Sequence, residues 1–371
     1  MPSKLFSAIK LGKLELPNRI MISPMCQYSA VEGSATDWHL AHLGSMALSG
    51  AGFLCVEATH VEREGRITPG CLGLYSDDNE AALARVLKEI RAISPIAVGI
   101  QLAHAGRKGS SAVPWAGGQL LDAAHGGWTP LAPSALPQKP EEPPPRAMDE
   151  ADIRRVIAAF RASAKRALRL GLQAIELHLA HGYLAHEFLS PLSNQRSDQY
   201  GGALENRLRF SMEVFDAVMA EVNGAVPVGA RLSATDWIEG GWDIEQSVIL
   251  GKKLEAAGCA FLDVSSGGVA WNQKIPLGPG YQVPFAERMK REVKIPVISV
   301  GLITEPAQAQ EIIASGKADM VALARGMLYN PRWPWRAAIE LGGEVKGPEQ
   351  YWRCLPSGTP PIFGDAKVGQ R

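Results

Sequence analysis

The chain has 371 residues, of which 46% are hydrophobic and 20% charged, a composition typical of a folded protein of one large or two ordinary domains. Its 38 basic and 38 acidic side chains cancel, which argues against binding of nucleic acid or of an anionic membrane by a basic surface. The five cysteines are scattered without a C-x-x-C pair, which indicates reduced thiols in a cytoplasmic protein rather than disulfides, a zinc site or an iron–sulfur cluster.

Short β-branched segments alternate with longer amphipathic segments along the whole chain. In chain order, we predict strands at 19–23, 53–57, 96–102, 174–179, 226–232, 261–265, 296–300 and 320–324. The predicted helices lie at 37–49, 77–93, 148–170, 204–222, 244–257, 283–293, 306–315 and 335–341.

This alternation predicts an α/β fold with a parallel sheet, because no run of strand hairpins interrupts it. Eight units are the number that closes a (β/α)8 TIM barrel, here a single domain with the barrel at about 19–342. A doubly wound open sheet is the alternative, which we disfavour because no G-x-G-x-x-G motif follows an early strand.

Two segments fall outside the repeat. Residues 109–146 follow the third strand, are rich in Pro and Gly, and lie on the side of a barrel where active sites are built. This excursion is either a lid or substrate wall, or a packed surface loop. The tail at 343–371 has little helical or strand pattern.

The fourth strand ends in three side chains capable of acid–base chemistry, His178, His181 and Tyr183. Two imidazoles and a phenol can hold a substrate oxygen and supply a proton near neutral pH. Packed core histidines are the alternative, and on spacing alone we favour it. A metal site is indicated only weakly, because a third ligand and helical spacing are missing, so we predict no metal.

The ends of the last two strands suggest a binding site for phosphate. Gly301 allows the backbone to approach an anion closely, and Arg325 adds a positive charge. Barrels often bind a phosphate between the loops that follow strands seven and eight. The alternative is a turn glycine and an arginine paired with an acid.

Five sequence motifs occur together in an order that is highly specific. They are Pro24-Met25-Cys26-Gln27-Tyr28, Gly65-Arg66-Ile67-Thr68, Gln101-Leu102-x-His104-x-Gly106-Arg107-Lys108, His178-x-x-His181-Gly182-Tyr183, and Asn194-x-Arg196-x-Asp198-x-Tyr200-Gly201-Gly202-x-x-Glu205-Asn206-Arg207. With them, residues 5–353 resemble the Old Yellow Enzyme family of flavin ene-reductases. Cys26 and His181 resemble its thermophilic-like branch, which includes bacterial xenobiotic reductases.

The resemblance implies FMN at the barrel mouth, reduction of FMN by NADPH or NADH, and hydride delivery to an activated C=C bond. It implies that Arg231 stabilises the reduced flavin and that Gln101 contacts the pyrimidine edge. The other cofactor contacts that it implies are the ring contacts Pro24, Met25, Cys26 and Ala58, and the phosphate contacts Gly301, Ala324 and Arg325. Lys108 would contact the flavin or the pocket edge, or be solvated.

For the substrate, the resemblance implies that His178 and His181 donate hydrogen bonds to a carbonyl oxygen, assisted by Tyr28. Tyr183 would then protonate the α-carbon. It also implies that Arg353 reaches into a neighbouring subunit, which predicts a homodimer or a dimer-built tetramer. Cys354-Leu355 departs from the family pattern beside Arg353.

Three other functions remain open at this stage. A dienoyl-CoA reductase-like enzyme of the same superfamily would need a cysteine cluster and further flavin domains, neither of which is present. A non-catalytic flavin-binding sensor would not need the two histidines and the tyrosine. A metal hydrolase on the same barrel would need a metal site.

Overall fold

The computed structural model describes residues 3–364. Eight parallel strands close into a barrel in which each strand pairs with the next, and the last pairs with the first. They are β1 (Ile20–Ile22), β2 (Phe53–His60), β3 (Ala97–Ala103), β4 (Ile175–Leu179), β5 (Val228–Ser233), β6 (Leu262–Ser265), β7 (Val297–Val300) and β8 (Met320–Leu323). The predicted (β/α)8 TIM barrel is therefore confirmed.

Helices surround the barrel and connect its strands. They are α1 (Asp37–Ala47), α2 (Asp77–Ile93), α3 (Glu150–Arg169), α4 (Leu184–Leu189), α5 (Leu204–Val222), α6 (Ile244–Ala256), α7 (Val283–Lys290), α8 (Pro306–Ala314), α9 (Arg325–Tyr329) and α10 (Trp333–Leu341). The short helices α4 and α9 were not predicted, because five or six residues are too few to show a helical period. Among residues 3–364, no helix is long and apolar enough to cross a membrane.

Helix α3 illustrates how the sequence specifies the helices that surround the barrel. The Asp149 side chain accepts a hydrogen bond from the Asp152 N–H, and the Asp152 side chain accepts one from the Asp149 N–H, which closes a capping box. Ile153, Val156 and Phe160 follow at helical spacing and are buried. The cap sets the start of the helix, and the apolar stripe sets the face that packs on the barrel.

The amino-terminal end of the barrel is closed by a hairpin that the sequence analysis missed. Strands Ile9–Leu11 and Leu14–Leu16 pair antiparallel. Leu11 and Leu16 are fully buried and belong to the same apolar cluster as Phe53 and Phe261. Two strands of three residues each carry too little alternation to be recognised. This plug leaves the opposite, carboxyl-terminal mouth as the open end.

Two strands differ from their predicted bounds in a way that affects the site. Strand β2 continues beyond the predicted 53–57 to His60, with a bulge between Val56 and Ala58, so Ala58 lies within the strand. Strand β5 continues to Ser233, so Arg231 lies within the strand instead of at its end. Both residues are consequently held by ladder hydrogen bonds.

The excursion and the tail pack on different parts of the barrel. In the excursion, Leu131–Ala132 pairs with Arg146–Ala147, and Trp128 donates its indole N–H to Glu64 O at 2.8 Å. The described part of the tail packs around Trp335 with Ile362 and Phe363. The remaining predicted tail, 365–371, lies outside the described residues.

Candidate active site

His178 and His181 face each other at the carboxyl end of β4. Their rings are nearly perpendicular, with centroids 5.0 Å apart, and Nδ1 of His181 lies 3.3 Å from Nε2 of His178. The Ala180 N–H donates to His178 Nδ1 at 3.3 Å. When His178 is neutral, this bond places its proton on Nε2, which then acts as the donor.

The Nε2 atom of His181 contacts a serine at the end of another barrel strand. His181 Nε2 lies 2.7 Å from Ser265 Oγ at the end of β6. Ser265 Oγ donates to Gln282 Oε1 at 3.3 Å, and Gln282 Nε2 donates to Val300 O at 3.0 Å. Ser265 and Gln282, which the sequence analysis did not single out, therefore position His181.

Both imidazoles are neutral at physiological pH. Burial lowers the pKa of His178 and of His181 well below the ordinary value of 6.5, and the positive charge of Arg231 lowers each further. A neutral imidazole with a defined tautomer donates one hydrogen bond without the cost of burying a charge. The pair is therefore suited to polarise a carbonyl oxygen.

Tyr183 stands beside this pair, with its ring centroid 4.9 Å from that of His178. Burial raises the pKa of the Tyr183 phenol well above 10, so the hydroxyl keeps its proton at neutral pH. Lys108 Nζ lies 5.3 Å from the Tyr183 ring centroid and donates to His181 O at 2.8 Å. Lys108 thus lies at the pocket edge and links the third strand to the His181 loop.

The loop after β1 brings Cys26 and Tyr28 to the same mouth. Tyr28 adopts a positive φ of 52°, and a side chain at Gly70 would collide with Tyr28 O. Burial raises the pKa of the Cys26 thiol well above its ordinary value, which keeps it a thiol. The Tyr28 ring meets Trp115 of the excursion edge-on at 5.7 Å.

A buried polar cluster lies below the histidines inside the barrel. Gln101 Nε2 donates to Glu176 Oε1 at 2.8 Å, and Arg231 Nε lies 3.1 Å from Asp263 Oδ2. Burial raises the pKa of Glu176 to about 8 and also raises the pKa of Asp263. Neither acid was predicted from the sequence, although each interrupts an apolar strand at an inward-facing position.

The residues predicted to hold a phosphate lie on two adjacent loops. Gly301 follows β7 with a φ of 118°, and a side chain there would lie 2.6 Å from Gln282 Nε2. Ala324 precedes α9, and Arg325, its first residue, is exposed. Pro24 and Met25 follow β1, which neighbours β8 in the barrel.

The chemistry of this mouth fits FMN. Arg231 is a buried cation at 7% exposure, which suits the negative charge that reduction adds to a flavin. The Gln101 amide oxygen is not used in the bond to Glu176 and can accept from an imide N–H. Within residues 3–364, no cluster of three or more His, Cys, Asp or Glu side chains could hold a metal ion.

Arg353 does not join these residues in the same subunit. It is exposed in the tail that packs around Trp335, and it does not line the cavity bounded by Tyr28 and Tyr183. Its predicted contact with a neighbouring subunit stays a prediction.

Comparison with known proteins identifies the family. The model of the NADH:flavin oxidoreductase / NADH oxidase family matches residues 4–343. The chain belongs to this family. It is 43% identical to an NADPH dehydrogenase of Geobacillus thermodenitrificans over 355 residues, which are 95% of this chain and 99% of the relative. The chain is thus an NAD(P)H-dependent flavin oxidoreductase, and the predicted FMN and nicotinamide donor are confirmed.

Solved structures of flavin oxidoreductases share the fold. Morphinone reductase superposes with a TM-score of 0.75 at 30% identity, covering 99% of this chain and 95% of the other. The resemblance to the Old Yellow Enzyme family is therefore confirmed. A 2-naphthoyl-CoA reductase gives a TM-score of 0.81 at 26% identity over 90% of this chain. This flavin oxidoreductase spans 52% of that longer chain.

Proposed function

We propose that this flavin oxidoreductase reduces the activated C=C bond of α,β-unsaturated carbonyl compounds, with nitro compounds as secondary substrates. The convergence of His178, His181 and Tyr183 at the open end of the barrel carries this proposal. A sensor that only binds flavin would not need two neutral N–H donors beside a protonated phenol.

When bound and reduced by NADPH or NADH, FMN would supply the hydride for the β-carbon. The residues of this chain supply the electrophilic activation. In the tautomers that the Ala180 contact favours, His178 Nε2–H is directed at His181 Nδ1 and His181 Nε2–H at Ser265 Oγ, so a carbonyl oxygen must take the place of both acceptors. Donors aimed at the oxygen gain strength as negative charge develops there, so they lower the barrier to hydride transfer.

Tyr183 completes the reaction as the proton donor to the α-carbon. The contact of its ring with His178 and its raised pKa, which keeps the proton on the phenol, support this role. Tyr28, whose ring contacts Trp115 of the excursion, lines the same cavity as Tyr183, and the ring of an enone would be held against it. Arg231 and Gln101 would hold the cofactor, and Gly301, Ala324 and Arg325 would hold its phosphate.

The test is an absorption spectrum of the purified holoprotein under anaerobic conditions. We expect NADPH to bleach the flavin band and cyclohexenone to restore it. A reduced flavin that oxygen reoxidises but cyclohexenone does not would contradict the proposal and favour a sensor.

The proposal for Arg353 concerns the oligomeric state of the protein. We propose a homodimer or dimer-built tetramer in which Arg353 contacts the substrate pocket of the neighbouring subunit. Arg353→Ala would then raise the KM for cyclohexenone without lowering the melting temperature of the monomer fold. We further propose a cytoplasmic location, which the unpaired cysteines at positions 26, 55, 71, 259 and 354 support.

A further inference from the structure

A cavity of about 390 Å³ lies beyond the Tyr183 wall, between the barrel mouth and the excursion. Tyr28 and Tyr183 bound it on the side of the candidate active site, and Leu120 and Gln138 of the excursion bound it on the other. Its volume is sufficient for a small-molecule group. The reaction proposed above uses only the wall that this cavity shares with the active site.

The charges around the cavity are unbalanced. Arg107, Lys108 and Lys139 line it, whereas Glu142 is the one acidic residue that does so. Lys139 Nζ lies 3.8 Å from Glu142 Oε1, with 42% of the Lys139 side chain exposed. Lys108 Nζ donates a hydrogen bond to His181 O. The lining therefore carries a surplus of two positive charges in a space partly closed to water.

Two lining residues also have buried polar atoms without partners. Arg107 is only 7% exposed, and although its terminal nitrogens donate to backbone carbonyls, its Nε–H has no acceptor among the described residues. The Gln138 Oε1 atom is likewise buried and unpaired there. An orphaned donor on a buried cation costs free energy unless a ligand supplies the acceptor.

We propose that this cavity is an anion subsite that holds the carboxylate or phosphate of a bound reactant while its reacting part lies against His178 and Tyr183. The inference rests on the proposed function and narrows its substrate class to enones with an acidic tail. The same chemistry would also suit a phosphate of the nicotinamide donor. Arg107 and Lys139 provide the charge, and the Gln138 amide can turn either end toward the ligand.

The test compares a cyclohexenone that carries a remote propionate with its methyl ester, which has nearly the same shape and no charge. Binding is titrated through the shift of the oxidised flavin band, which needs no turnover, and reduction is followed separately. We expect the wild type to bind the acid about fivefold more tightly than the ester. Raising the ionic strength should reduce the difference in affinity between the acid and the ester.

Three variants test how the charges around the cavity affect binding of the acid. Lys139→Gln should weaken binding of the acid roughly two- to fivefold, as loss of one half-exposed cation allows, and leave the ester unchanged. Glu142→Gln should strengthen binding of the acid by a similar factor. Lys165→Gln, on the exposed face of α3 away from the cavity, is the matched control and should change neither ligand.

The affinity for NADPH, measured in the flavin reduction step, shows whether the subsite holds the anionic group of the substrate or a phosphate of NADPH. Effects of Lys139→Gln on NADPH affinity alone, with acid and ester bound equally, would still support the subsite and assign it to the hydride donor. Equal affinities for acid and ester together with unchanged NADPH binding in Lys139→Gln and Glu142→Gln would overturn the proposal. Bound acid that is not reduced would contradict the ene-reductase function and leave the subsite standing.

Discussion

The Nε2 atom of His178 lies 3.3 Å from the Nδ1 atom of His181, so the two side chains proposed to bind one substrate oxygen are also in contact with each other. Because Ala180 N–H occupies the other nitrogen of His178, its hydrogen bond has a fixed direction. The His178 N–H is therefore directed at His181 in this structure, and a substrate oxygen must take the place of this contact to be polarised by the pair.

Substitution of His178 should impair alkene reduction more than substitution of Ser265. His178→Ala removes a donor to the developing oxyanion, for which a loss of about 10²–10³ in rate is typical. Ser265→Ala keeps both imidazoles and removes only the hydroxyl that positions His181 through Nε2, so we expect less than about a tenfold change. Stopped-flow reoxidation of the reduced enzyme by cyclohexenone measures both, and equal rates in the two variants would contradict the assigned roles.

Loss of the Tyr183 hydroxyl should affect one half-reaction. In Tyr183→Phe, we expect reoxidation by cyclohexenone to slow by about 10²–10⁴, whereas reduction of the flavin by NADPH stays near the wild-type rate. The raised pKa of Tyr183 further predicts that reoxidation by the wild type does not decline up to pH 9 through loss of this proton. Equal slowing of both half-reactions would be inconsistent with a proton donor.

The charge of Arg231 should set the reduction potential of the flavin. Arg231→Met removes the buried cation and should lower the two-electron midpoint potential by roughly 30 mV or more, because about 1.4 kcal/mol of lost stabilisation corresponds to 30 mV. Arg231→Lys keeps the charge and should retain most of the wild-type potential. The measurement is a spectroelectrochemical titration with reference dyes. A potential unchanged in Arg231→Met would refute the assignment.

The buried acid Glu176 should make stability depend on pH. Burial raises its pKa from 4.5 to about 8. Between these values the folded protein keeps a proton that the unfolded chain has released, so the free energy of unfolding falls as pH rises and levels off above pH 8. One such group contributes at most about 1.4 kcal/mol per pH unit.

Glu176→Gln should therefore flatten the decline measured by urea unfolding of the apoprotein between pH 6.5 and 8. Histidines of the unfolded chain also titrate in the lower part of this window, but they do so in the wild type and in the variant alike, so the difference between the two slopes reports Glu176. Glu187, whose pKa burial also raises to about 8, remains in the variant, so the slope should shrink without disappearing. An unchanged slope would show that Glu176 is ionised in the folded protein.

Gly182 is required by both its backbone conformation and its surroundings. It has a φ of 70°, and an added Cβ would lie 2.2 Å from Gly268 O. Gly202 has a similar φ of 75° with nothing within 4 Å, so Gly202→Ala isolates the conformational cost, about 1–2 kcal/mol. We expect Gly182→Ala to lose more stability than this and to raise the KM for cyclohexenone, because His181 must shift. Matching losses of stability in the two variants would contradict the predicted clash.

Much of the architecture could be predicted from the sequence because hydrophobic periodicity is a local property. Helices α2 and α5 begin and end at the predicted residues, and every barrel strand lies within a few residues of its prediction. The hairpin Ile9–Leu11 and Leu14–Leu16 was missed because its burial arises only when the barrel closes above it. Short elements stabilised by distant contacts carry little local pattern.

For the candidate site, too, one part could be predicted from the sequence and another part could not. The sequence by itself determined which chemical groups follow which strands, because the motif around His178, His181 and Tyr183 is contiguous. The tertiary structure decided their partners: the Ser265 and Gln282 contacts of His181, the Glu176 beneath Gln101, and the cations around the excursion cavity. These groups are far apart in the chain, and only closure of the barrel, which excludes water between its strands, brings them within hydrogen-bonding distance and shifts their pKa values.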